Sequence, residues 1–153
     1  LRLGLWVKYL AGFRLAPFVP TPHHVAKAML RLADVKSSDF VVDLGCGDAR
    51  LLISAAKDRG AKGYGVEMDG ELFKEAVRAI GKEGLSHMIS VHQKDAMDAE
   101  LHMASVVTLY LSDAGNAKIL PKLQHQLQPN GRVVSFCWPF KGINPLRVER
   151  VDG

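Results

Sequence analysis

The sequence predicts one α/β domain with a mostly parallel central sheet and helices on both faces of that sheet. Two observations support this prediction. Short apolar runs alternate along the chain with longer stretches of helical periodicity, which is the pattern of parallel strands joined by crossover helices. In addition, a chain of 153 residues, 48% of them hydrophobic, is long and apolar enough to bury a sizeable core.

The predicted elements follow one another in a regular order. The first helix of the domain is predicted to begin at Thr21, which can cap it, with Pro22 at the first helical position and an end near Asp34. A strand over Phe40–Leu44 is followed by a glycine-containing turn and by a helix over Arg50–Arg59, which the next glycine stops. Further strands are predicted over residues 62–67, 88–92, 105–111, 132–138 and 146–151, and further helices over 71–82 and around 118–127.

The first 20 residues form an apolar and basic segment that precedes the domain over residues 21–153. Arg2, Lys8 and Arg14 interrupt its apolar run too often for a helix that spans a bilayer. The segment could be the end of a longer membrane or targeting segment, since the chain does not begin with Met, or an amphipathic helix docked on the domain. We expect the docked helix, and the segment could also associate with a membrane surface.

Composition and motifs exclude several classes of protein. The net charge of +4 includes no dense basic block, so nucleic acid is permitted but not indicated. Cys46 and Cys137 form no CxxC pair, and the six histidines lack a ligand spacing such as HxxxH, so we expect no disulfide, no metal site and a reducing, intracellular compartment. The absence of GxxxxGK[ST] and GxSxG motifs excludes P-loop NTPases and serine hydrolases.

Candidate ligand-binding residues stand at the predicted ends of the strands, where the crevice of an open α/β sheet lies. Segment 43–50, DLGCGDAR, places small residues between a strand and a helix, so a ligand can approach the backbone. Glu67 ends the next strand about 20 residues later, where a carboxylate can accept both hydroxyls of an adenosine ribose, and Asp95 follows the third strand. Because Arg50 stands where a dinucleotide site needs Gly or Ala, the pattern predicts an adenosine site without a pyrophosphate.

Through these residues the sequence resembles the class I S-adenosylmethionine-dependent methyltransferases, which implies their Rossmann-like fold and S-adenosylmethionine as the cofactor. The resemblance implies a role for each matching residue. Asp43 and the backbone from Gly45 to Gly47 would hold the methionine part of the cofactor, and Glu67 would hold the ribose. The adenine would be bound by residues that follow the next two strands, namely Met68 on one face and Asp95 with the Ala96 N–H at the edge.

Four segments carry a narrower resemblance: VPTP at 19–22, DLGCGDAR at 43–50, TLYL at 108–111 and Asn116 with PKL at 121–123. They resemble the small protein-lysine methyltransferase family that includes the mitochondrial enzymes for the ATP synthase c-subunit and the adenine nucleotide translocase, and broad-specificity archaeal relatives. The resemblance implies methyl transfer to a lysine ε-amine of a protein, with Thr21 and Tyr110 near the cofactor or the target channel. It also implies a mitochondrial location, or a cytoplasmic one for a prokaryotic member.

The chain departs from this family pattern at two places. Ala49 stands where many members have Gly, and the sequence ends before the final strand that the family has after Val151. The domain is therefore expected to lack its last strand.

Tyr110 and Asp113 are the candidate residues on the acceptor side. Tyr110 can wall a slot for a neutral amine, with its ring face toward cationic groups and its hydroxyl orienting the nitrogen, and Asp113 is a possible supporting acid. The alternatives are an aromatic residue that fills the end of a strand and an aspartate that caps a helix. Segment 109–113 reads LYLSD and lacks the [DN]-P-P-[YFW] pattern of enzymes that methylate planar nitrogens, so adenine and glutamine acceptors are less expected and no nucleic-acid partner is expected.

Two other functions stay open at this point. The cofactor motif is generic and the chain is basic, which would also suit a methyltransferase for RNA or for a small molecule. A missing last strand would also suit an inactive cofactor-binding interaction domain. The sequence does not predict the target protein, the number of methyl groups added or the oligomeric state.

Overall fold

The structure, a computed structural model, describes residues 5–6 and 20–151. Short apolar runs form its strands, and amphipathic stretches form its helices. The strands are β1 (Leu5–Trp6), β2 (Phe40–Leu44), β3 (Lys62–Val66), β4 (Ile89–His92), β5 (Val106–Leu109), β6 (Arg132–Ser135) and β7 (Glu149–Arg150). The helices are α1 (His23–Leu32), α2 (Arg50–Arg59), α3 (Gly70–Lys82) and α4 (Asp113–Gln126), with a 3-10 turn at Ala96–Asp98.

The central sheet of the described residues has five parallel strands in the order β4-β3-β2-β5-β6. From β2 the chain first builds outward through β3 and β4, and then returns to the other side of β2 to build β5 and β6. The order therefore reverses between β2 and β5, and a crevice opens beyond the carboxyl ends of these two strands. This topology confirms the predicted α/β fold and places the candidate site residues along one edge of the sheet.

The sheet buries side chains on both of its faces. Neighbouring residues of a strand point to opposite faces, so Val41 packs in one core with Met29 of α1, and Val42 packs in the other core with Leu123 of α4. The prediction of helices on both faces is therefore confirmed. Within α3, Ala76 and Ile80 are buried, whereas Val77 is exposed.

Two helix starts differ from the sequence prediction. Helix α1 begins at His23, with Pro22 in the capping position and no capping hydrogen bond from a side chain, so the predicted cap by Thr21 is wrong. Helix α4 begins at Asp113, five residues before the predicted start, because Ser112 caps it by accepting a hydrogen bond from the Gly115 N–H. Three residues of this first turn, Asp113, Gly115 and Asn116, are poor helix formers, which explains why periodicity missed the turn.

Two glycines of β3 let neighbouring backbone pack closely against this strand. A β-carbon on Gly63 would lie 2.1 Å from the Val41 carbonyl oxygen, and one on Gly65 would lie 2.5 Å from Cys46 Sγ. The turn that follows β2 can therefore pack directly against β3, which is where the candidate site begins.

The N-terminal segment is described only at Leu5–Trp6. These residues form a short parallel pair with β7, so at this place the chain is a strand and not the docked helix that we expected. The rest of the segment, and with it the expected association with a membrane surface, lies outside the described residues. No helix over 20–151 is long and apolar enough to cross a membrane.

Candidate active site

The candidate site lies where β2, β3, β5 and β6 end. The turn after β2 begins it. Gly45 and Gly47 have φ values of +78° and +56°, in the left-handed region that glycine adopts without strain. The N–H groups of Gly45 and Cys46 both donate to the Val66 carbonyl oxygen, at 3.0 and 2.9 Å, so the turn is fixed to the end of β3. Its short side chains leave the backbone of the turn accessible to a ligand.

Glu67 joins this turn to the start of α3. Its Oε2 accepts a hydrogen bond from the Gly47 N–H at 2.9 Å, and its Oε1 accepts one from the Asp69 N–H at 3.0 Å. Each oxygen of a carboxylate has a second lone pair, so both oxygens can still accept from a pair of vicinal hydroxyls. The structure thus brings together Gly47 and Glu67, which the sequence predicted for the same ligand.

Asp43 is the buried acid of the site. Its Oδ1 accepts a hydrogen bond from the Thr108 hydroxyl at 2.7 Å, and the residue is only 7% exposed. Burial raises the pKa of Asp43 to about 7, the hydrogen bond from Thr108 opposes that rise, and the negative charges of Glu67 and Asp48 add to it. A cationic ligand beside Asp43 would stabilise its ionised form.

An ion pair between Asp48 and Arg50 lies beside the turn and connects it to the segment that precedes α1. Arg50 Nε and Nη2 donate to the two carboxylate oxygens of Asp48, at 3.0 and 2.6 Å. Burial alone would raise the pKa of Asp48, but the hydrogen bonds and the charge of Arg50 outweigh it and hold this pKa below its ordinary value. Arg50 Nη1 also donates to the Thr21 carbonyl oxygen at 3.2 Å, which places Thr21 next to the turn through its backbone.

The residues predicted for an adenine ring follow β3 and β4. Met68 comes directly after Glu67 and is 66% exposed, so its apolar side chain is accessible to the flat face of a ring. Asp95 Oδ1 accepts a hydrogen bond from the Met97 N–H at 2.9 Å and so caps the 3-10 turn that begins at Ala96. Asp95 therefore also shapes its own turn, a role that the sequence analysis did not assign to it.

Tyr110 and Asp113 lie at the end of β5, on the other side of the crevice. The Tyr110 ring packs against Phe136, with ring centroids 4.6 Å apart. Burial raises the pKa of Cys137, and a hydrogen bond with the Tyr110 side chain opposes this rise. Asp113 pairs with Lys141 at 3.2 Å and does not cap α4, since Ser112 does.

Sequence reasoning missed the contacts that hold these residues in place. Thr108 was noted only as part of a motif, and the pairing of Asp48 with Arg50 was not predicted. Opposite charges two residues apart in a glycine turn were the available signal for that pair.

Over the described ranges, no group of three or more His, Cys, Asp or Glu could hold a metal ion.

The donors and acceptors of the site fit S-adenosylmethionine. Two carboxylates, Asp43 and Glu67, have remaining acceptor capacity toward ammonium and hydroxyl groups. Among the described residues of the turn, the basic side chain is that of Arg50, and Asp48 neutralises it, so this cation does not oppose a cationic ligand. The turn itself offers a cradle without bulky side chains.

A family model, described as the ANTKMT methyltransferase domain, matches residues 43–147 and so includes most of these residues. The chain belongs to this methyltransferase family. A protein-lysine N-methyltransferase of Saccharolobus islandicus is 40% identical over 137 residues, which cover 89% of this chain and 85% of that protein.

Two further relatives of this ANTKMT-family methyltransferase are informative. A Xenopus laevis enzyme, the lysine N-methyltransferase of the ATP synthase c-subunit, is 28% identical over 89% of this chain, which spans 60% of that protein. The crystal structure of an RNA methyltransferase from Salinibacter ruber in complex with S-adenosyl-L-homocysteine is 41% identical, with a TM-score of 0.83 and coverage of 84% of both chains.

Exchange of Glu67 for alanine should weaken the binding of S-adenosylhomocysteine by about 1–3 kcal/mol, since ribose hydrogen bonds would be lost. The exchange also removes the link from Gly47 to Asp69. Isothermal titration calorimetry measures the change. Glu71→Ala, in the exposed first turn of α3, is the matched control, and equal affinities of the two variants would contradict the assignment.

Proposed function

We propose that this methyltransferase is an S-adenosylmethionine-dependent protein-lysine N-methyltransferase. The observation that carries the proposal is the 40% identity to the protein-lysine N-methyltransferase of Saccharolobus islandicus, over 89% of this chain. The 28% identity to a lysine N-methyltransferase of Xenopus laevis supports the same acceptor. A protein that presents a lysine side chain is therefore the proposed partner.

The donor side of the crevice binds the cofactor through residues that are already in place. When bound, S-adenosylmethionine supplies an electrophilic methyl group on a sulfonium sulfur. The Asp43 carboxylate would hold the ammonium of the methionine part, and the two oxygens of Glu67 would accept from the ribose hydroxyls. Met68 would cover the adenine, and Asp95 would fix the turn whose Ala96 N–H meets its edge.

The acceptor side must present a neutral amine, because a protonated lysine has no lone pair to attack a methyl carbon. With a reference pKa of about 10.4, the deprotonation of lysine at pH 7 costs about 4.6 kcal/mol. A slot with little water lowers this cost, since burial disfavours the charged form of the amine. Tyr110 is partly buried and packs on the buried Phe136 ring, so it provides aromatic surface for such a slot at the end of the sheet.

Tyr110 also orients the amine. Its side chain shares a hydrogen bond with Cys137, and a phenolic hydroxyl can both donate and accept, so this group can orient the amine nitrogen. This contact would turn the nitrogen lone pair toward the donor side. Asp113 lies near the entrance, where its ion pair with Lys141 offsets its negative charge.

RNA methylation is the second candidate function. It is favoured by the 41% identity and the TM-score of 0.83 to the RNA methyltransferase structure from Salinibacter ruber. The two candidates share the donor side and differ in the acceptor.

Methyl transfer from tritiated S-adenosylmethionine to a dialysed lysate distinguishes the two candidates. We expect the label to survive ribonuclease, to disappear with protease and to be lost when the lysate proteins are first acetylated on their amines. Mass spectrometry should then find methylated lysine. Label that is sensitive to ribonuclease would favour RNA, and cofactor binding without transfer to either would contradict both candidates.

A further inference from the structure

A strained turn follows β6 on the acceptor side of the crevice. The Trp138 N–H donates to the Phe136 carbonyl oxygen at 2.8 Å, and the residue between them, Cys137, has a φ of +67°. A hydrogen bond across one residue with positive φ defines the rarer form of the γ-turn, which costs a residue other than glycine conformational energy. Such turns persist where the surrounding structure enforces them.

The buried side chains of Asn116 and Ser135 hold this turn in place through hydrogen bonds. Asn116 Nδ2 donates to the Trp138 carbonyl oxygen at 2.7 Å and to Ser135 Oγ at 3.2 Å, and Ser135 Oγ donates to the same carbonyl at 2.5 Å. Both side chains belong to residues that are 1% exposed. The Trp138 carbonyl requires a donor, and this requirement fixes the orientation of the Asn116 amide.

This orientation leaves Asn116 with an unsatisfied acceptor. Its Oδ1 is buried and receives no hydrogen bond within the described part of the chain. Buried acceptors without a partner are uncommon and lower stability. The protein thus gives up stability at two neighbouring points, Cys137 and Asn116, and both serve the placement of Trp138.

The turn is in contact with the residue that we place beside the acceptor amine. The Phe136 ring packs on the Tyr110 ring, and the side chains of Cys137 and Tyr110 share a hydrogen bond. Trp138, the next residue, is 40% exposed although tryptophan is among the largest apolar side chains. An exposed indole on a strained and braced turn beside a reaction site indicates a contact with a ligand.

We propose that Trp138 is an acceptor-binding residue whose ring face receives the target lysine, and that Asn116 is the positioning residue that holds it there. The proposal rests on the proposed lysine acceptor. Indole is the best of the aromatic rings for cation–π contact, so it binds the lysine ammonium as it arrives and a methylated ammonium after transfer. Tyr110 then acts on the amine deeper in the crevice.

The kinetic test compares two substitutions of different character at Trp138. Trp138→Leu keeps an apolar side chain but removes the ring, and it should raise the apparent KM for lysate protein about tenfold. The Kd for S-adenosylhomocysteine should stay within twofold. Trp138→Phe should recover most of the loss, and Met103→Ala, which removes an exposed apolar side chain just before β5 at the opposite edge of the sheet, should change neither constant.

The role of Asn116 is tested through its coupling to Trp138. Asn116→Ala should raise the same KM, and the double variant with Trp138→Leu should be no worse than Trp138→Leu alone, because both act through one ring. Ser135→Ala should have a smaller effect, since Asn116 still donates to the carbonyl. Additive effects of Asn116→Ala and Trp138→Leu on KM would overturn the positioning role. Should circular dichroism show that Asn116→Ala does not fold, Ser135→Ala takes its place in the same comparison with Trp138→Leu.

Fluorescence gives a readout that is independent of activity. The chain has two tryptophans, so Trp138 is the sole tryptophan in a Trp6→Phe background. With S-adenosylhomocysteine present, Nα-acetyl-lysine amide should change this emission saturably, and Nα-acetyl-norleucine amide, which lacks the amine, should not. Equal responses to the two amides, or none, would overturn the contact.

The outcomes separate the two proposals. Parent enzyme that methylates protein lysines while Trp138→Leu keeps the parent KM overturns the inference and leaves the proposed function intact. Parent enzyme that labels only RNA overturns both.

Discussion

Asparagine in place of Asp43 is expected to weaken the binding of S-adenosylhomocysteine by about 3 kcal/mol, or roughly 100-fold, and to make the ligand-free protein more stable at pH 8. The affinity falls because the carboxylate that pairs with the ammonium of the ligand is lost. Stability rises because asparagine avoids a buried charge and can still accept the hydrogen bond from Thr108. Substitution of a residue with a purely structural role would instead lower the stability of the ligand-free protein. The sign of the stability change therefore distinguishes a ligand-binding role of Asp43 from a structural one.

The pH dependence follows from the pKa of Asp43, which is about 7 in the folded chain and 3.8 as a reference. Between these values the folded state keeps a proton that the unfolded state has lost, so this group makes stability fall as pH rises toward 7. Binding of the ligand has the opposite trend, because only ionised Asp43 attracts its ammonium group. Its affinity should rise about tenfold from pH 5.5 to 7, where an α-amino group is still mostly protonated.

Calorimetric titrations with S-adenosylhomocysteine and thermal unfolding at pH 5.5, 7 and 8 check both trends. Asp43→Asn should show a flat affinity over the first two pH values. An affinity of the parent that does not change over the same range would contradict the role given to Asp43.

Alanine in place of Gly65 should cost about 3 kcal/mol of unfolding free energy and abolish measurable cofactor binding. Its β-carbon would lie 2.5 Å from Cys46 Sγ and 2.6 Å from Cys46 Cβ, contacts that force the turn after β2 away from β3. That movement breaks the hydrogen bonds of the Gly45 and Cys46 N–H groups to Val66. Urea unfolding and calorimetry measure the two losses.

Gly81→Ala is the matched control for this substitution. Nothing lies within 4 Å of a β-carbon at Gly81, which is inside α3, so the exchange should stabilise the protein by about 0.5–1 kcal/mol. Effects of the same sign at both glycines would show that packing against the turn does not decide the outcome at Gly65.

Local signals in the sequence were sufficient for much of the fold. The bounds of β2 and α2 were predicted as observed, because an apolar run and a glycine in the left-handed conformation, Gly60 with φ +68°, mark their ends. The start of α4 was missed, since its first turn depends on the Ser112 cap and has little helical propensity of its own. The strand at Leu5–Trp6 is too short for any periodicity.

The site was predictable to the extent that spacing along the chain encodes it. Glu67 was found because acids at strand ends recur at a known distance from the glycine turn. The contact from Thr108 to Asp43 spans 65 residues, and that from Asn116 to Trp138 spans 22, so both form only once the strands lie side by side. Polar contacts between distant segments leave no periodic trace in one sequence, and the braces of the site were therefore missed.

The reversal of strand order between β2 and β5 divides the work of the enzyme along the chain. In the proposed function, residues 43–97 belong to the donor side and residues 108–141 to the acceptor side. Targets can therefore diverge in evolution through changes in the later stretch while the earlier one is conserved, and recombination between relatives near residue 100 would exchange one whole half. Thr108 crosses this division through Asp43, so it is a position that such a hybrid has to keep.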